Sequence, residues 1–224
     1  MRHARLINDG MRRRANFILT SLGLREKGFY TPYNYLDAVD WAQQPYPAVT
    51  RVFEDHLDQF FEFLAAMHDA QAALQKIAEA PGMPLWNSGF ISALAIYTGI
   101  TRFAPAKIIE IGSGNSTHFM ARALADNGLP GKITCIDPAP RADISALDVT
   151  FHRRTLSPQD VEIFENLSRG DGGFVDSSHI LQQGFDVDII LNRILPVLAP
   201  GVIVHFHDIF LPYGYQEPWQ SHRF

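Results

Sequence analysis

The chain has 224 residues, of which 46% are hydrophobic and 19% are charged, and its formal net charge is −5. A chain this apolar can bury a sizeable core, so the composition argues against intrinsic disorder. The mean hydropathy is −0.06, and no apolar run is long enough for a transmembrane helix. Cys135 is the only cysteine, which excludes a disulfide or a cysteine-based zinc site within one chain.

The charge is unevenly distributed along the chain. Residues 1–27 carry a net charge of +5, and the remaining residues carry −10. An acidic body argues against nucleic acid as the main ligand. We interpret the basic head as a solvated terminus; contact with RNA, with an anionic surface or with the body itself, and an organellar transit signal, are the alternatives. The apolar residues 17–24 lack a secretory cleavage pattern, so we expect a cytoplasmic protein with no membrane partner.

The first half of the chain predicts an irregular arm followed by helices. Residues 28–48 are rich in aromatic residues and proline, with one short helix expected near residues 36–41. Apolar residues at helical spacing predict a long helix over residues 50–78, and a second helix is predicted over residues 88–103. The predicted domains are an N-terminal arm (1–48), a helical extension packed on the core (49–103) and the core itself (104–224).

From residue 105 onward, short apolar runs alternate with helical patterns. This alternation predicts βαβ units, and therefore a parallel sheet with helices on both faces. The predicted strands cover residues 107–111, 132–136, 149–152, 173–175 and 202–206, and the predicted helices cover residues 116–127, 158–167 and 180–198. The expected fold is α/β and Rossmann-like, with strand order 3-2-1-4-5.

Polar residues follow four of the predicted strands at the point where each strand ends. Ligands of open parallel sheets bind beyond the carboxyl ends of the strands, so these residues predict the position of a site. They are Gly112, Ser113 and Gly114 after the first strand, Asp137 after the second, Asp176–His179 after the fourth, and His207 and Asp208 after the fifth.

The segment Glu110–Thr117 predicts a glycine loop between a strand and a helix, where N–H groups can bind an anion. Thr117 stands where a dinucleotide-binding loop has its third glycine, and the Gly-Lys-Ser/Thr of a P-loop is missing. The loop therefore suits a ligand without a pyrophosphate. Asp137 lies 23 residues after Gly114, and a carboxylate at that strand end can accept hydrogen bonds from a ribose diol.

Four segments in this order resemble class I S-adenosylmethionine-dependent methyltransferases, and most closely the branch known as the family-24 methyltransferase domain. They read EIGSGNS at residues 110–116, CIDP at residues 135–138, FVDSSH at residues 174–179 and VHFHDIFLP at residues 204–212. The resemblance covers roughly residues 30–215. It implies a methyltransferase fold with S-adenosyl-L-methionine as the cofactor.

The resemblance also implies roles for individual residues. Glu110, Gly112 and Gly114 would frame the methionine part of the cofactor, and Asp137 would hold its ribose. The segment from Asp176 onward would lie near the sulfonium and the acceptor, and the loop at residues 154–157 would contact adenine. The predicted cofactor-binding residues are Glu110, Gly112, Ser113, Gly114, Asn115, Ser116, Asp137, Asp176 and Ser177.

Methyl transfer to oxygen or nitrogen usually needs a base that takes the proton of the acceptor. The predicted catalytic residues are His179, His207 and Asp208, and the expected acceptor is a small or sugar-like molecule. A divalent metal held by Asp176 together with these three residues is an alternative that the histidine-rich set does not favour, so no metal ligand is predicted. His205 is expected to be a packed histidine within a strand.

Two other functions stay open from the sequence: a Rossmann protein that binds NAD or a nucleotide sugar, and a non-catalytic cofactor-binding module. A full class I methyltransferase sheet has seven strands, whereas only 16 residues follow Asp208. We therefore expect five strands without the C-terminal hairpin, either because the chain is a fragment or because its sheet stops at five strands. Residues 209–224 are rich in aromatics, which predicts that this tail folds back over the carboxyl edge as part of the acceptor pocket, or packs against a second copy in a homodimer.

Overall fold

A computed structural model describes residues 11, 14–24, 34, 35, 38, 45–78 and 90–215. The chain divides into two compact units, residues 1–43 and residues 44–224. In the first unit, residues 14–21 are helical. The short helix predicted near residues 36–41 lies almost wholly outside the described residues. None of the helices in the described ranges combines the length and the apolar character needed to cross a bilayer.

The second unit begins with three helices and continues with alternating strands and helices. The three helices are α1 (Pro47–Glu54), α2 (Leu57–Ala78) and α3 (Phe90–Phe103). The alternating elements are β1 (Lys107–Ile111), α4 (Asn115–Asp126), β2 (Lys132–Ile136), β3 (Val149–His152), α5 (Val161–Glu165), β4 (Gly172–Val175), α6 (Asp186–Ile189) and β5 (Ile203–Phe206). A 3₁₀ turn (Pro158–Asp160) precedes α5, and a π-helical segment (Ile190–Ile194) and a 3₁₀ segment (Leu195–Val197) follow α6.

The five strands form one parallel sheet in the order β3-β2-β1-β4-β5, which confirms the predicted order. The central strand is β1, whose last residue Ile111 pairs with Ile136 of β2 and with Val175 of β4. Because all five strands run in the same direction, their carboxyl ends meet at one edge of the sheet. The polar residues that follow β1, β2, β4 and β5 therefore lie along that edge.

Each face of the sheet buries its own apolar cluster. Successive side chains of a strand point to opposite faces, so the neighbours Ile108 and Ile109 of β1 belong to different clusters. Ile108 packs with residues of α2, α3 and α4, among them Leu74. Ile109 packs with residues of α5 and of the helical segment after β4, among them Phe164 and Ile189. The predicted helix layers on both faces are thus confirmed, and each fully buried side chain of this size contributes about 1.5–3 kcal/mol.

The helix predicted over residues 50–78 is instead two helices, α1 and α2, which meet at Asp55 and His56. The N–H of His56 donates to the carbonyl of Phe53 at 3.1 Å, and its Nδ1 lies 2.7 Å from the carbonyl oxygen of Val52. A side chain that engages a nearby carbonyl competes with the regular helical pattern. The apolar period continues through the break, so it could not reveal this interruption.

The helix predicted from residue 180 begins only at Asp186. The carboxylate of Asp186 accepts hydrogen bonds from the N–H of Ser178 at 2.8 Å and from its hydroxyl at 2.5 Å, which holds the preceding segment as a loop. Gly184 in that loop has a φ of +81°, a conformation that a helix interior does not use. Pro196 lies in the 3₁₀ segment at the end of the helical run. The helix predicted over residues 158–167 begins as a 3₁₀ turn, and its α-helical part covers only Val161–Glu165. The other predicted bounds within the described residues differ by no more than two residues at either end.

Gly112 is the point where the ends of three strands come closest. Its N–H donates to the carbonyl of Ile136 at 3.1 Å, and the N–H of Asp176 donates to the carbonyl of Ile111 at 2.9 Å. The φ of Gly112 is +81°, and a Cβ built there would lie 1.9 Å from the carbonyl oxygen of Asp176. A side chain at this position would therefore force the end of β4 away from β1.

We predict that Gly112→Ala destabilises the protein far more than Gly128→Ala. Both glycines have positive φ, but no heavy atom lies within 4 Å of a Cβ built at Gly128. Gly128→Ala should cost only about 1–2 kcal/mol of backbone strain, whereas the clash at Gly112 should cost at least about 3 kcal/mol. Urea unfolding of the two variants measures the difference, and equal losses would contradict the close approach of β1 and β4.

Candidate active site

A single carboxylate holds the glycine loop from inside the protein. Glu110 is fully buried in β1, and its carboxylate accepts hydrogen bonds from the hydroxyls of Ser116 and Thr117 and from the thiol of Cys135. The hydroxyl oxygen of Thr117 in turn accepts the N–H of Gly114 at 2.9 Å. Glu110 therefore fixes the first turn of α4 and, through Thr117, the loop itself.

Burial raises the pKa of the Glu110 carboxyl to about 7, and this outweighs the hydrogen bonds from its three neighbours, which favour the ionised form. Burial also raises the pKa of the Cys135 thiol, which therefore stays protonated as a donor. The contacts of Glu110 are all with side chains of the protein. Its contribution to a ligand at this edge is accordingly indirect, through the shape of the loop.

Asp137, at the end of β2, holds the same loop from the side. Its Oδ2 accepts the N–H of Ser113 at 2.6 Å and the Ser113 hydroxyl at 3.3 Å, and its Oδ1 accepts the N–H of Ala139 at 2.7 Å. A carboxylate offers about four acceptor positions, so one position on Oδ1 stays available to a ligand. Asp137 and the glycine loop lie at one end of the sheet, as a shared cofactor site requires.

Three successive N–H groups of the glycine loop donate to acceptors within the protein. These bonds run from Gly112 to the carbonyl of Ile136, from Ser113 to the carboxylate of Asp137 and from Gly114 to the hydroxyl of Thr117, at 3.1, 2.6 and 2.9 Å. These bonds fold the loop on itself. The anion site expected from the sequence concerns the N–H groups where α4 begins, and it stays a prediction.

The loop after β2 packs directly over the glycine loop. The N–H of Arg141 donates to the carbonyl of Ser113 at 3.2 Å, and a Cβ built on Gly114 would lie 2.9 Å from the nitrogen of Ala142. The Nη1 of Arg141 lies 4.0 Å from Oδ2 of Asp176, which follows β4. The sequence pattern did not point to Arg141, because nothing in its immediate neighbourhood along the chain indicates this contact.

Two histidines and two aspartates converge beyond β4 and β5, and we call them the His–Asp cluster: Asp176, His179, His207 and Asp208. Oδ1 of Asp176 lies 3.4 Å from Nε2 of His179 and 3.7 Å from Nδ1 of His207. The same Nδ1 of His207 lies 3.2 Å from Oδ1 of Asp208. The structure therefore brings together the three residues predicted as catalytic and one of those predicted to face the cofactor.

Two members of the cluster have a backbone conformation that residues with a side chain rarely adopt. The φ of His179 is +58° and the φ of Asp208 is +56°, and Ala104 is the only other such non-glycine residue within the described ranges. Such a conformation costs about 1–3 kcal/mol and is commonly found at functional sites. At His179 it is imposed in part by Asp186, which holds the preceding residue, Ser178, with two hydrogen bonds.

The two histidines of the cluster differ in accessibility. The side chain of His179 is 29% exposed, whereas that of His207 is 5% exposed. The hydrogen bond with Asp176 raises the pKa of His179. Burial works to raise the pKa of Asp176, but the hydrogen bond from His179 and the charges of His207 and Arg141 lower it overall. His179 is therefore the histidine that an acceptor can reach, and Asp176 is its charged partner.

His205 has the predicted structural role. Its ring packs 4.8 Å from the ring of Phe174. Burial lowers the pKa of His205 to about 4, so this histidine is neutral at neutral pH. It lies beside the cluster, with its ring 6.3 Å from that of His207, and contributes packing there.

The described part of the tail, residues 209–215, contacts the segment that precedes α1, and its place in an acceptor pocket stays a prediction. The carbonyl of Pro212 accepts the N–H of Tyr46 at 2.7 Å, and the rings of Phe210 and Tyr215 are 5.5 Å apart. Burial and the negative charge of Asp208 raise the pKa of the Tyr215 phenol. Residues 216–224 lie outside the described part of the chain.

The loop after β3, where adenine contacts were predicted, is organised by Asp160. This carboxylate is 2% exposed and accepts both guanidinium nitrogens of Arg154, at 2.6 and 2.5 Å. It also accepts the N–H and the hydroxyl of Ser157. The sequence analysis did not single out Asp160, although a serine followed three residues later by an acid is typical of a helix start.

The His–Asp cluster also has a spacing that would fit a divalent ion. Asp176, His179 and Asp208 each offer one ligand atom, and these atoms lie within 4.8 Å of one another. A metal here is the alternative that the sequence did not favour.

Comparison with known proteins identifies the class to which this site belongs. Residues 109–209 match the family model described as Methyltransferase domain (Methyltransf_24). No curated protein is significantly similar in sequence. The matched segment contains both the glycine loop and the His–Asp cluster, and it is a methyltransferase domain of class I. S-Adenosyl-L-methionine is the cofactor of this class.

Similar solved structures include methyltransferases bound to S-adenosylhomocysteine. An O-methyltransferase from Bacillus cereus is 18% identical, with 70% of this chain and 72% of that chain covered and a TM-score of 0.36. The methyltransferase PaMTH1 from Podospora anserina is 16% identical, with 81% and 73% covered and a TM-score of 0.39. The assignment of the class rests on the family match and on the fold.

The polar groups at the sheet edge fit S-adenosylmethionine, which carries a ribose diol, one carboxylate, one ammonium and one sulfonium but no phosphate. The open acceptor position on Asp137 suits the diol. The carboxylates of Asp176 and Asp208, whose side chains are 12% and 31% exposed, suit the two cationic groups.

We predict that the stability of the protein reports the ionisation of Glu110. A carboxyl whose pKa rises from 4.5 unfolded to about 7 folded keeps a proton that the unfolded chain releases between these pH values. The free energy of unfolding should therefore fall, relative to Glu110→Gln, as the pH rises from about 4.5 to about 7, by the order of 2–3 kcal/mol. Chemical unfolding of both proteins across this range measures the difference, and a constant difference would mean that Glu110 titrates normally.

Proposed function

We propose that this protein transfers the methyl group of S-adenosylmethionine to an oxygen or nitrogen atom of a small, sugar-like acceptor. The observation that carries the proposal is the position of the His–Asp cluster beside the glycine loop, at one edge of the sheet. Methyl transfer requires the acceptor lone pair, the methyl carbon and the departing sulfur to lie in line. Alignment of this kind can lower the activation free energy of the reaction by several kcal/mol.

Different carboxylates contact different parts of the cofactor. Asp137 accepts a hydroxyl of the ribose at its open Oδ1 position, while its other contacts keep the glycine loop in place. Asp176 faces the cationic part of the cofactor. Ser113 and Ser116 support these contacts from buried positions, since each donates to a carboxylate of the protein.

His179 is the general base in this proposal. It is the more accessible histidine of the cluster, and with its Nε2–H donated to Asp176, its Nδ1 is the nitrogen that takes the proton of the acceptor. Asp176 then stabilises the imidazolium that forms. His207 is buried between Asp176 and Asp208, so it is a positioning residue for the two carboxylates.

The acceptor side of the site supports a polar ring as substrate. Tyr213 and Tyr215 are 52% and 41% exposed, and Tyr215 lies near Asp208. Tyrosines in this state offer a flat apolar face with a polar hydroxyl at its end, which suits a sugar-like acceptor. A cytoplasmic location and a homodimer stay predictions of the sequence.

We predict that the protein binds S-adenosylhomocysteine and not NAD, and that Asp137→Ala weakens this binding. Loss of a charged acceptor for the ribose should cost about 1.5–3 kcal/mol. Isothermal titration calorimetry with both compounds measures it. Asp148→Ala is the matched control, because it removes a carboxylate that is 92% exposed and pairs with Lys132, so it should change the affinity by less than about threefold.

Unchanged affinity in a folded Asp137→Ala variant would remove Asp137 from the site. Binding of NAD without binding of S-adenosylhomocysteine would overturn the proposed function.

We predict that His179→Gln lowers turnover by about 10²–10⁴ while the affinity for S-adenosylhomocysteine stays nearly the same. The base must be unprotonated, and its pKa is raised above 6.5, so turnover of the unaltered protein should rise with pH through that region. Transfer of a labelled methyl group to a panel of sugars measures both effects. His68→Gln, at an exposed position on α2, is the control. Full activity of His179→Gln with an unchanged pH profile would exclude His179 as the base.

A further inference from the structure

The side chain of Arg141 crosses the glycine loop. Arg141 lies on the loop after β2, yet its Nη1 lies 4.0 Å from Oδ2 of Asp176, which follows β4. In the sheet, β1 lies between β2 and β4, so a side chain that joins these two ends passes over the loop that follows β1. The guanidinium therefore lies over the carboxyl edge of the sheet, where ligands of open parallel sheets bind.

The backbone of Arg141 is fixed, whereas its side chain is loosely held. The N–H of Arg141 donates to the carbonyl of Ser113 at 3.2 Å, which anchors the residue to the glycine loop. The side chain is 71% exposed, and an exposed ion pair at 4.0 Å contributes little to stability. The guanidinium can therefore leave Asp176 at small cost and turn toward another anion without any movement of the loop.

A ligand with a carboxylate needs hydrogen-bond donors at this edge of the sheet, and a cationic side chain would add to the N–H groups where α4 begins. The N–H groups of Gly112, Ser113 and Gly114 already donate to acceptors within the protein. Asp137 and Asp176, on either side of the loop, are anions and would repel a carboxylate. Arg141 carries a permanent positive charge and a planar fork of N–H groups that matches a carboxylate.

We propose that Arg141 binds the carboxylate in the amino-acid part of S-adenosylmethionine, and that it rests against Asp176 when the ligand is away. The exchange suits both partners. The guanidinium gains a closer anion than Asp176, and Asp176 becomes available to the ammonium and sulfonium of the same ligand. This inference rests on the proposed function, and it adds to that function the residue that selects for the amino-acid end of the cofactor.

The test compares S-adenosylmethionine with its decarboxylated form, which keeps the adenosine, the sulfonium and the ammonium and lacks only the carboxylate. Calorimetry is done on the unaltered protein, on Arg141→Gln and on Arg141→Lys. Arg141→Gln should weaken binding of S-adenosylmethionine by about 10- to 100-fold and change binding of the decarboxylated form by less than about threefold. Arg141→Lys keeps the charge but not the fork, so its loss should be intermediate.

Arg153→Gln is the matched control, because Arg153 is a nearby exposed arginine whose guanidinium lies 5.0 Å from the ring of Phe151. It should bind both compounds like the unaltered protein. Equal weakening of both compounds by Arg141→Gln, or tighter binding of S-adenosylmethionine, would overturn the inference and leave the proposed function standing. If the unaltered protein binds neither compound, the proposed function itself fails, and this inference fails with it.

Discussion

The buried carboxylate of Glu110 is the constraint on which the rest of the site depends. A charge or a proton must be accommodated where no solvent reaches, and the cost is offset by donors from Ser116, Thr117 and Cys135. These bonds hold the first turn of α4 against β1. The glycine loop joins the two elements, so its shape depends on how closely they are held together. Removing the carboxylate would leave the hydroxyls without their acceptor, so its loss would disturb the loop before any ligand contact was lost.

The same physical device recurs around the edge of the sheet. Asp137, Asp160 and Asp186 each accept a backbone N–H and a hydroxyl of a serine in a neighbouring loop, which fixes the loops after β1, β3 and β4. Carboxylates are suited to this task because they accept several hydrogen bonds at once. Asp176 and Asp208 are different, since they pair with histidine rings and, for Asp176, also with the guanidinium of Arg141. These two are the acidic groups of the His–Asp cluster.

The charges of the edge complement a ligand that carries two positive groups and one negative group. The carboxylates of the His–Asp cluster match the positive groups, and Arg141 is the one cation that our assignment places opposite the negative group. The pairing with Asp176 raises the pKa of His179, which is the base in the proposed reaction. In this proposal Oδ2 of Asp176 faces Arg141, which binds the cofactor, and Oδ1 faces His179, which takes the proton.

Apolar spacing by itself determined the five strands, because a buried parallel strand needs a continuous apolar run and each run ends in a turn. The alternation with helices determined that the sheet is parallel and that the polar residues meet at one edge, and the strand order matches the one expected of class I methyltransferases. Only the tertiary structure decided that Glu110 faces inward, that residues 180–185 form a loop and that Arg141 reaches Asp176. Each of these depends on a hydrogen bond or ion pair between groups brought together by the fold. The type of a residue specifies which kinds of partner its side chain can bind. The fold decides which of these partners lies within reach, because it brings together residues that are far apart in the chain.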